Sequence, residues 1–215
     1  GMRPTTGMRI AASRLSAATI FSDNFEDGSI SDWTVVLGSA SGWFVTTTEA
    51  PIGTFHTIAR DTGSETIISR NISTAGYENV VFDFWWSTDT NLFESGQDSF
   101  FVEWFDGNNW IEVFNFISGS QTTYTLDSNV LPLGGSNNSN FKIRFKCSVN
   151  QPTEGCNIDN ISITGDLISQ SDNEYPQFSN LVENPINNTG YSSGAIYRFN
   201  STITLTNSTA GIEFN

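Results

Sequence analysis

The sequence predicts an all-β protein built as an antiparallel sandwich, and three observations carry that prediction. Short runs rich in Val, Ile, Thr, Phe, Tyr and Trp recur between turn-forming clusters of Gly, Asn, Asp and Ser, roughly every ten residues. Within the runs, apolar and polar residues alternate with period two, as they do in sheet buried on one face. No stretch repeats its apolar residues at the helical period. With 37% hydrophobic residues, 17 Phe and 6 Trp, the chain can fill a core, and the core is aromatic.

The elements follow in order. Residues 19–25 open as a strand that ends in Asp23-Asn24-Phe25-Glu26-Asp27-Gly28, and short strands begin at Trp33 and Gly42. Residues 54–60 and 65–70 give two more. The richest stretch, residues 78–116, reads as three consecutive strands. In the first, Val80, Phe82, Phe84 and Trp86 point one way, while Asp83 and Trp85 point the other. In the second, Phe100, Val102 and Trp104 alternate with Phe101, Glu103 and Phe105. Asp106-Gly107-Asn108-Asn109 joins it to the third as a hairpin, because these residues tolerate the positive φ of tight turns. A weak strand near Tyr124, a polar loop over 134–140, and strands at 141–147 and 157–164 complete a unit spanning 19–165. Residues 166–174 read as a linker. Residues 175–215 hold three or four strands, fewer than the ~7 of a complete immunoglobulin-type sandwich.

Charge and cysteine usage bound the setting. A formal net charge of −14 opposes approach to nucleic acid or an anionic membrane, and no apolar run reaches the ~20 residues that span a bilayer. Cys147 and Cys156 bracket a turn-rich loop that a disulfide would close, the alternative being one free thiol on each strand. Six Asn-x-Ser/Thr acceptors occur, at Asn71, Asn137, Asn160, Asn187, Asn200 and Asn207, in a chain rich enough in Asn, Ser and Thr for several to arise by chance. Together with the cysteines they favour an extracellular protein. Residues 1–18 read as a basic, small-residue tail or docking segment, with Arg3, Arg9 and Arg14 and without the apolar core of an intact signal peptide.

The ordered signatures FSDNFEDGSISDW, GYENVVFDFWW, DSFFVEWFDGNNWIEVF and FKIRFKCSVN…CNIDNISITG resemble the MAM-like, concanavalin A-like jelly-roll domains of secreted and cell-surface proteins. Residues 175–215 resemble the opening of an immunoglobulin-like module of prokaryotic surface proteins. The resemblance implies a jelly-roll β-sandwich followed by a partial immunoglobulin-like β unit, with adhesion or glycan binding as its business. It also implies that the Phe-Glu-Asp-Gly end of the first strand lies beside the Ile-Asp-Asn start of the last. That would bring Glu26 to Asp159, with Asn24 and Asp98 in reach, as oxygen ligands for a structural Ca²⁺. The alternative is that these acids only accept hydrogen bonds from turn N–H groups.

No catalytic constellation emerges. His56 is the single histidine, with no nucleophile motif near it, and it reads as a strand residue on a polar face. Zinc chemistry lacks clustered His or Cys ligands. Asp83 and Glu103, on what read as neighbouring strands, are the candidates for a glycosidase pair. The same residues, with Trp85, Phe101, Phe105, Lys142, Arg144 and Lys146, read as one outward face. On it Asp83, Trp85, Glu103 and Arg144 would bind a ligand, aromatic rings meeting sugar faces and charges meeting hydroxyls. Burial of this face or simple cross-strand ion pairing is the alternative. The expected function is therefore a non-catalytic extracellular surface or adhesion module that binds carbohydrate or a protein partner and is stabilised by calcium. Two alternatives stand beside it. One is a filament subunit whose tail adds as a strand to a neighbouring copy, and the other is the carbohydrate-binding appendage of a glycoside-processing enzyme.

Overall fold

The computed structural model describes residues 17–37, 42–48, 50, 52–60, 63–89 and 93–168, together with the backbone of two later strands. The chain divides into two units, the larger being Ser16–Ile168. In the other, the described part is an antiparallel ribbon of β12 (Gln177–Asn184) and β13 (Arg198–Thr204). Residues 1–16 of the expected tail, most of the linker and the remaining strands of the C-terminal unit lie outside the described residues, and with them the strand-exchange expectation.

The larger unit is a sandwich of two antiparallel sheets. One contains β3 (Trp43–Thr46), β4 (His56–Arg60), β11 (Gly155–Leu167), β6 (Tyr77–Thr88) and β9 (Thr125–Val130) in that order, with β1 (Ala18–Asp23) also paired to β11. The other runs β2 (Thr34–Leu37), β5 (Thr66–Asn71), β10 (Lys142–Ser148), β7 (Ser99–Phe105) and β8 (Trp110–Phe116). The only described helical element is a single 3₁₀ turn, Leu133–Gly135.

The alternation read from the sequence decides what is buried. Val80, Phe82, Phe84 and Trp86 from β6 face Phe100, Val102 and Trp104 from β7 across the core, all at most 6% exposed. Phe145 sits at the centre, its ring 5.7 Å from Trp33, 5.7 Å from Phe84 and 6.2 Å from Phe82. Cys147 and Cys156 are disulfide-bonded and cross-link β10 to β11, hence one sheet to the other.

One expectation is corrected. β6 and β7 are consecutive in sequence but belong to opposite sheets, because the connection 89–98 is long enough to cross the sandwich. The four-residue link 106–109 keeps β7 and β8 together as a hairpin. Asp83 and Trp85 therefore lie on one outer face of the sandwich, and Glu103 and Arg144 on the other.

β11 is the strand around which the candidate sites are arranged. Its first half pairs with β4 (Cys156↔Ala59, Ile158↔Thr57) and its second half with β1 (Ser162↔Ser22, Thr164↔Thr19), while β6 pairs along its other edge. The change of partner falls at a bulge where Asn160 adopts φ 45°. The bulge also resets the alternation, so Cys156 and Ile158 point inward before it, and Ile161 and Ile163 after it.

Candidate functional site

The outer face of the six-stranded sheet carries a groove of about 280 Å³, lined by Phe44, Thr46 and Thr48 from β3 and its end and by His56, Ile58 and Arg60 from β4. Asn157 from β11, Asp89 beyond β6, and Pro152 and Thr153 from the loop before β11 complete it. Strand alternation places these residues together. Ile58 pairs with Asn157 and Asn157 with Ser87, and Thr46 pairs with His56, so successive strands present outward side chains in rows. Across the sheet, the His56 and Tyr124 rings lean toward each other, edge to face at 5.9 Å. Beside them Trp85, half-buried, stands between Asp159 and Leu126 in register.

A polar network forms one end of the groove. Arg60 donates from Nε to Asp89 Oδ2 at 2.8 Å and approaches the same oxygen with a second guanidinium nitrogen at 2.7 Å. Asn157 Nδ2 donates to the other Asp89 oxygen at 3.1 Å. Gly155 is required here by close approach: a Cβ would meet Asp89 Oδ2 at 2.7 Å and the Ala59 carbonyl at 3.1 Å. Arg60 remains 43% exposed on its side chain, so donors of a fixed guanidinium face the open groove. Phe44, 40% exposed, offers an apolar ring nearby. Such a groove can stack a flat apolar surface and hydrogen-bond hydroxyls.

The opposite outer face is different. Lys142, Arg144 and Lys146 lie over the rings of Phe105, Trp110 and Phe101, at 5.2, 4.0 and 5.3 Å from the centroids. Arg144 also pairs with Glu103, and Lys146 with Glu65 at 3.4 Å. Each charge is thus engaged with a cross-strand neighbour. The expected four-residue ligand face does not exist as a unit, since Asp83 with Trp85 and Glu103 with Arg144 are separated by the core. The same separation prevents Asp83 and Glu103 from flanking one glycosidic bond.

The expected metal ligands divide as well. At the β11 partner change, Asp159 is fully buried; its Oδ1 accepts from the Asn160 N–H at 2.7 Å and its Oδ2 has no partner. Burial pushes this carboxyl up to about 7, the charges of Glu26 and Asp23 add to the rise, and the N–H groups of Asn160 and Ile52 oppose it. Glu26 Oε1 accepts from the N–H groups of Thr54 and Phe55 at 2.7 and 2.9 Å, which hold its carboxyl below the ordinary range, Phe55 more strongly. Gly53, at φ 81°, is the residue that makes this possible, because a Cβ there would lie 2.3 Å from Glu26 Oε1. Asp23 is held by the Trp33 indole N–H at 2.7 Å, and Asn24 Oδ1 accepts from the Glu26 N–H at 3.3 Å. Asp159 thus offers a buried carboxylate oxygen with no partner that feels the charges of Glu26 and Asp23, but among the described residues these acids do not bring three ligand atoms within 4.8 Å of one another.

Asp98 does not join them. It enters β7 beside Glu154, which precedes Asp159 by five residues of β11, roughly 16 Å of extended chain. There Glu94, Asp98 and Glu154 form a separate carboxylate cluster. A hydrogen bond shared with Asp98 holds the Glu94 carboxyl above its ordinary range, with burial and the charges of Glu154 and Asp98 acting the same way. Sequence reasoning passed over Glu154, Arg60 and Asp89, and read His56 as incidental.

Of the glycosylation acceptors, Asn71 and Asn137 are exposed and Asn160 is half-buried at the bulge. Asn187 and Asn207 lie outside the described residues, as does the Asn200 side chain. No helix among the described residues is long and apolar enough to cross a membrane.

No protein-family profile and no curated protein matches this sequence. Among solved structures, the chain is similar to a cleaved adhesin domain of Lys-gingipain from Porphyromonas gingivalis, with a TM-score of 0.53 and 17% identity over 69% of this chain and 99% of that one. It is also similar to a family 61 carbohydrate-binding module solved with β-1,4-galactotriose (TM-score 0.48, 16% identity, 65% and 92% covered). A xylan-binding domain from Paenibacillus barcinonensis gives a TM-score of 0.45 at 16% identity, with 73% and 98% covered. At these identities the likeness is one of fold, and it is a β-sandwich.

Proposed function

We propose that the Ser16–Ile168 unit is a non-catalytic carbohydrate-binding module of an extracellular or surface protein. Its binding site is the groove between Phe44 and the Arg60–Asp89–Asn157 network. The observation that carries this reading is the groove itself, an open cleft pairing an exposed ring with a fixed guanidinium and carboxylate on rigid strands. Its volume of about 280 Å³ falls just below the usual range of ligand clefts, about 300–1,000 Å³, which suits a short stretch of an extended chain lying across strands. The disulfide supports an oxidising compartment. The unpartnered, buried Asp159 oxygen, which feels the charges of Glu26 and Asp23, supports a structural Ca²⁺ that neutralises the acids gathered where β11 changes partners.

Titration of the full chain with soluble oligosaccharides, preceded by a polysaccharide array, tests the reading. Wild type should bind at least one glycan class. Phe44→Ala, on the edge strand, should weaken that binding by about tenfold with an unchanged melting temperature, a loss in line with one stacked aromatic contact. Trp85→Ala on the same face should weaken it too. Absence of glycan binding by wild type, or binding indifferent to Phe44→Ala, Trp85→Ala and Asp89→Asn together, overturns it.

A further inference from the structure

Glu94 and Asp98 bracket the turn that leads into β7. The N–H groups of Gln97 and Asp98 return to the Glu94 carbonyl at 3.0 and 3.1 Å, and Asp98 Oδ2 accepts from the Glu94 N–H at 2.7 Å. The loop between the two cysteines folds against this turn. Its Asn150 N–H lies 3.3 Å from Asp98 Oδ1 and 3.2 Å from Glu154 Oε2, and the Gln151 N–H donates to Glu154 Oε2 at 2.9 Å. One Glu154 oxygen is thus spent on the loop. The other, Oε1, has no partner, in a residue only 1% exposed.

Burying an unpartnered carboxylate oxygen beside two further acids is costly unless a positive charge joins it. No described side chain supplies that charge. Arg60, Arg70, Arg144 and Lys146 are committed to Asp89, Asp32, Glu103 and Glu65, and Lys142 lies over Phe105. The ligand atoms offered by Glu94, Asp98 and Glu154 all lie within 4.8 Å of one another. Oxygens that share one Ca²⁺ can stand no further apart than twice the metal–oxygen distance, about 4.6–5.2 Å. The spacing of the three meets that condition for a shared ion, with at most a few tenths of an ångström of closure onto it.

We infer that Glu94, Asp98 and Glu154 form a second hard-cation site, for Ca²⁺, separate from the Glu26–Asp159 cluster. The ion fastens the β6–β7 connection to the loop between the cysteines. That loop carries Pro152 and Thr153, which line the groove, so the ion also positions one groove wall.

Calcium alone is the probe, titrated calorimetrically into chelator-stripped full chain up to about 10 mM, a range that covers the affinities of extracellular modules. Wild type should bind two equivalents. Glu154→Gln keeps an oxygen for the loop N–H groups and should bind one. Glu94→Gln alters an exposed residue, spares the core and should weaken one equivalent by about tenfold or more. Asp159→Asn should remove the other equivalent only. Crystals grown in calcium should show anomalous density between Glu94, Asp98 and Glu154. Two equivalents that persist in both Glu154→Gln and Glu94→Gln overturn the inference. So does a single wild-type equivalent lost only in Asp159→Asn, an outcome that leaves the Glu26–Asp159 proposal standing. No binding by wild type overturns both.

Discussion

At the scale of single residues, Asp159 sets the clearest test of how the fold manages charge. Its carboxyl, ordinarily near 3.8, is pushed up to about 7 chiefly by burial, and then by Glu26 and Asp23. The metal-free native state therefore holds a proton that the unfolded chain has already released. Between those two values the folded form binds more protons than the unfolded form, so stability must fall as pH rises, levelling off above about 7. This is the reverse of an ordinary salt-bridged aspartate. Chelator-treated protein should thus unfold at lower urea concentration at pH 8 than at pH 5, and Asp159→Asn should flatten that dependence. The calcium proposed for this site would compete with the same proton, so any stabilisation it confers on wild type should be larger at pH 8. A metal-free midpoint that rises from pH 5 to pH 8 in wild type but not in Asp159→Asn contradicts the account.

At the scale of elements, the strands were legible and their sheet membership was only partly so. Period-two alternation says which residues face a core, and it placed Phe82, Phe84, Trp86, Val102 and Trp104 there correctly. It does not say which of two sheets a strand joins, since both bury the same kind of face. Loop length carries that information. The short 106–109 link held β7 to β8, while the longer 89–98 connection carried the chain across the sandwich. Reading the two links alike merged two outer faces into one. The groove was hidden for a related reason. Arg60 and Asp89 are 29 residues apart and meet only because β4 and β6 flank β11. β9 was faint in sequence because an edge strand has fewer apolar residues to show. The disulfide is the element-level device whose cost can be stated. It closes a loop of sequence separation 9 and joins the two sheets. Cys147→Ser with Cys156→Ser should therefore lower unfolding stability by about 2–3 kcal/mol in denaturant titrations, and a loss under about 0.5 kcal/mol would show that the loop is already ordered in the unfolded chain.

At the scale of the whole molecule, charge is the governing quantity. The chain carries −14, and its described cations are spent locally in ion pairs or against rings. Two groups of acids are left where chain segments converge, one at the β11 partner change and one at the base of the loop between the cysteines. Both gather carboxylates from segments distant in sequence, so their repulsion opposes closure of the sandwich itself. An ion at either site then acts on folding as a whole, since the unfolded chain scatters the ligands and binds it poorly. At a free calcium concentration of 100 times Kd, one site adds about 2.7 kcal/mol, which for a unit of this size is a shift of about 5–10 °C in melting temperature. Chelation should lower the melting temperature by at least that much, magnesium should restore little of it, and calcium should restore it fully. Salt alone separates this from general screening of an acidic surface, because sodium chloride at equal ionic strength weakens long-range repulsion without occupying either cluster. If sodium chloride restores the melting temperature as well as calcium does, the acids are merely repelling one another and neither cluster is a metal site.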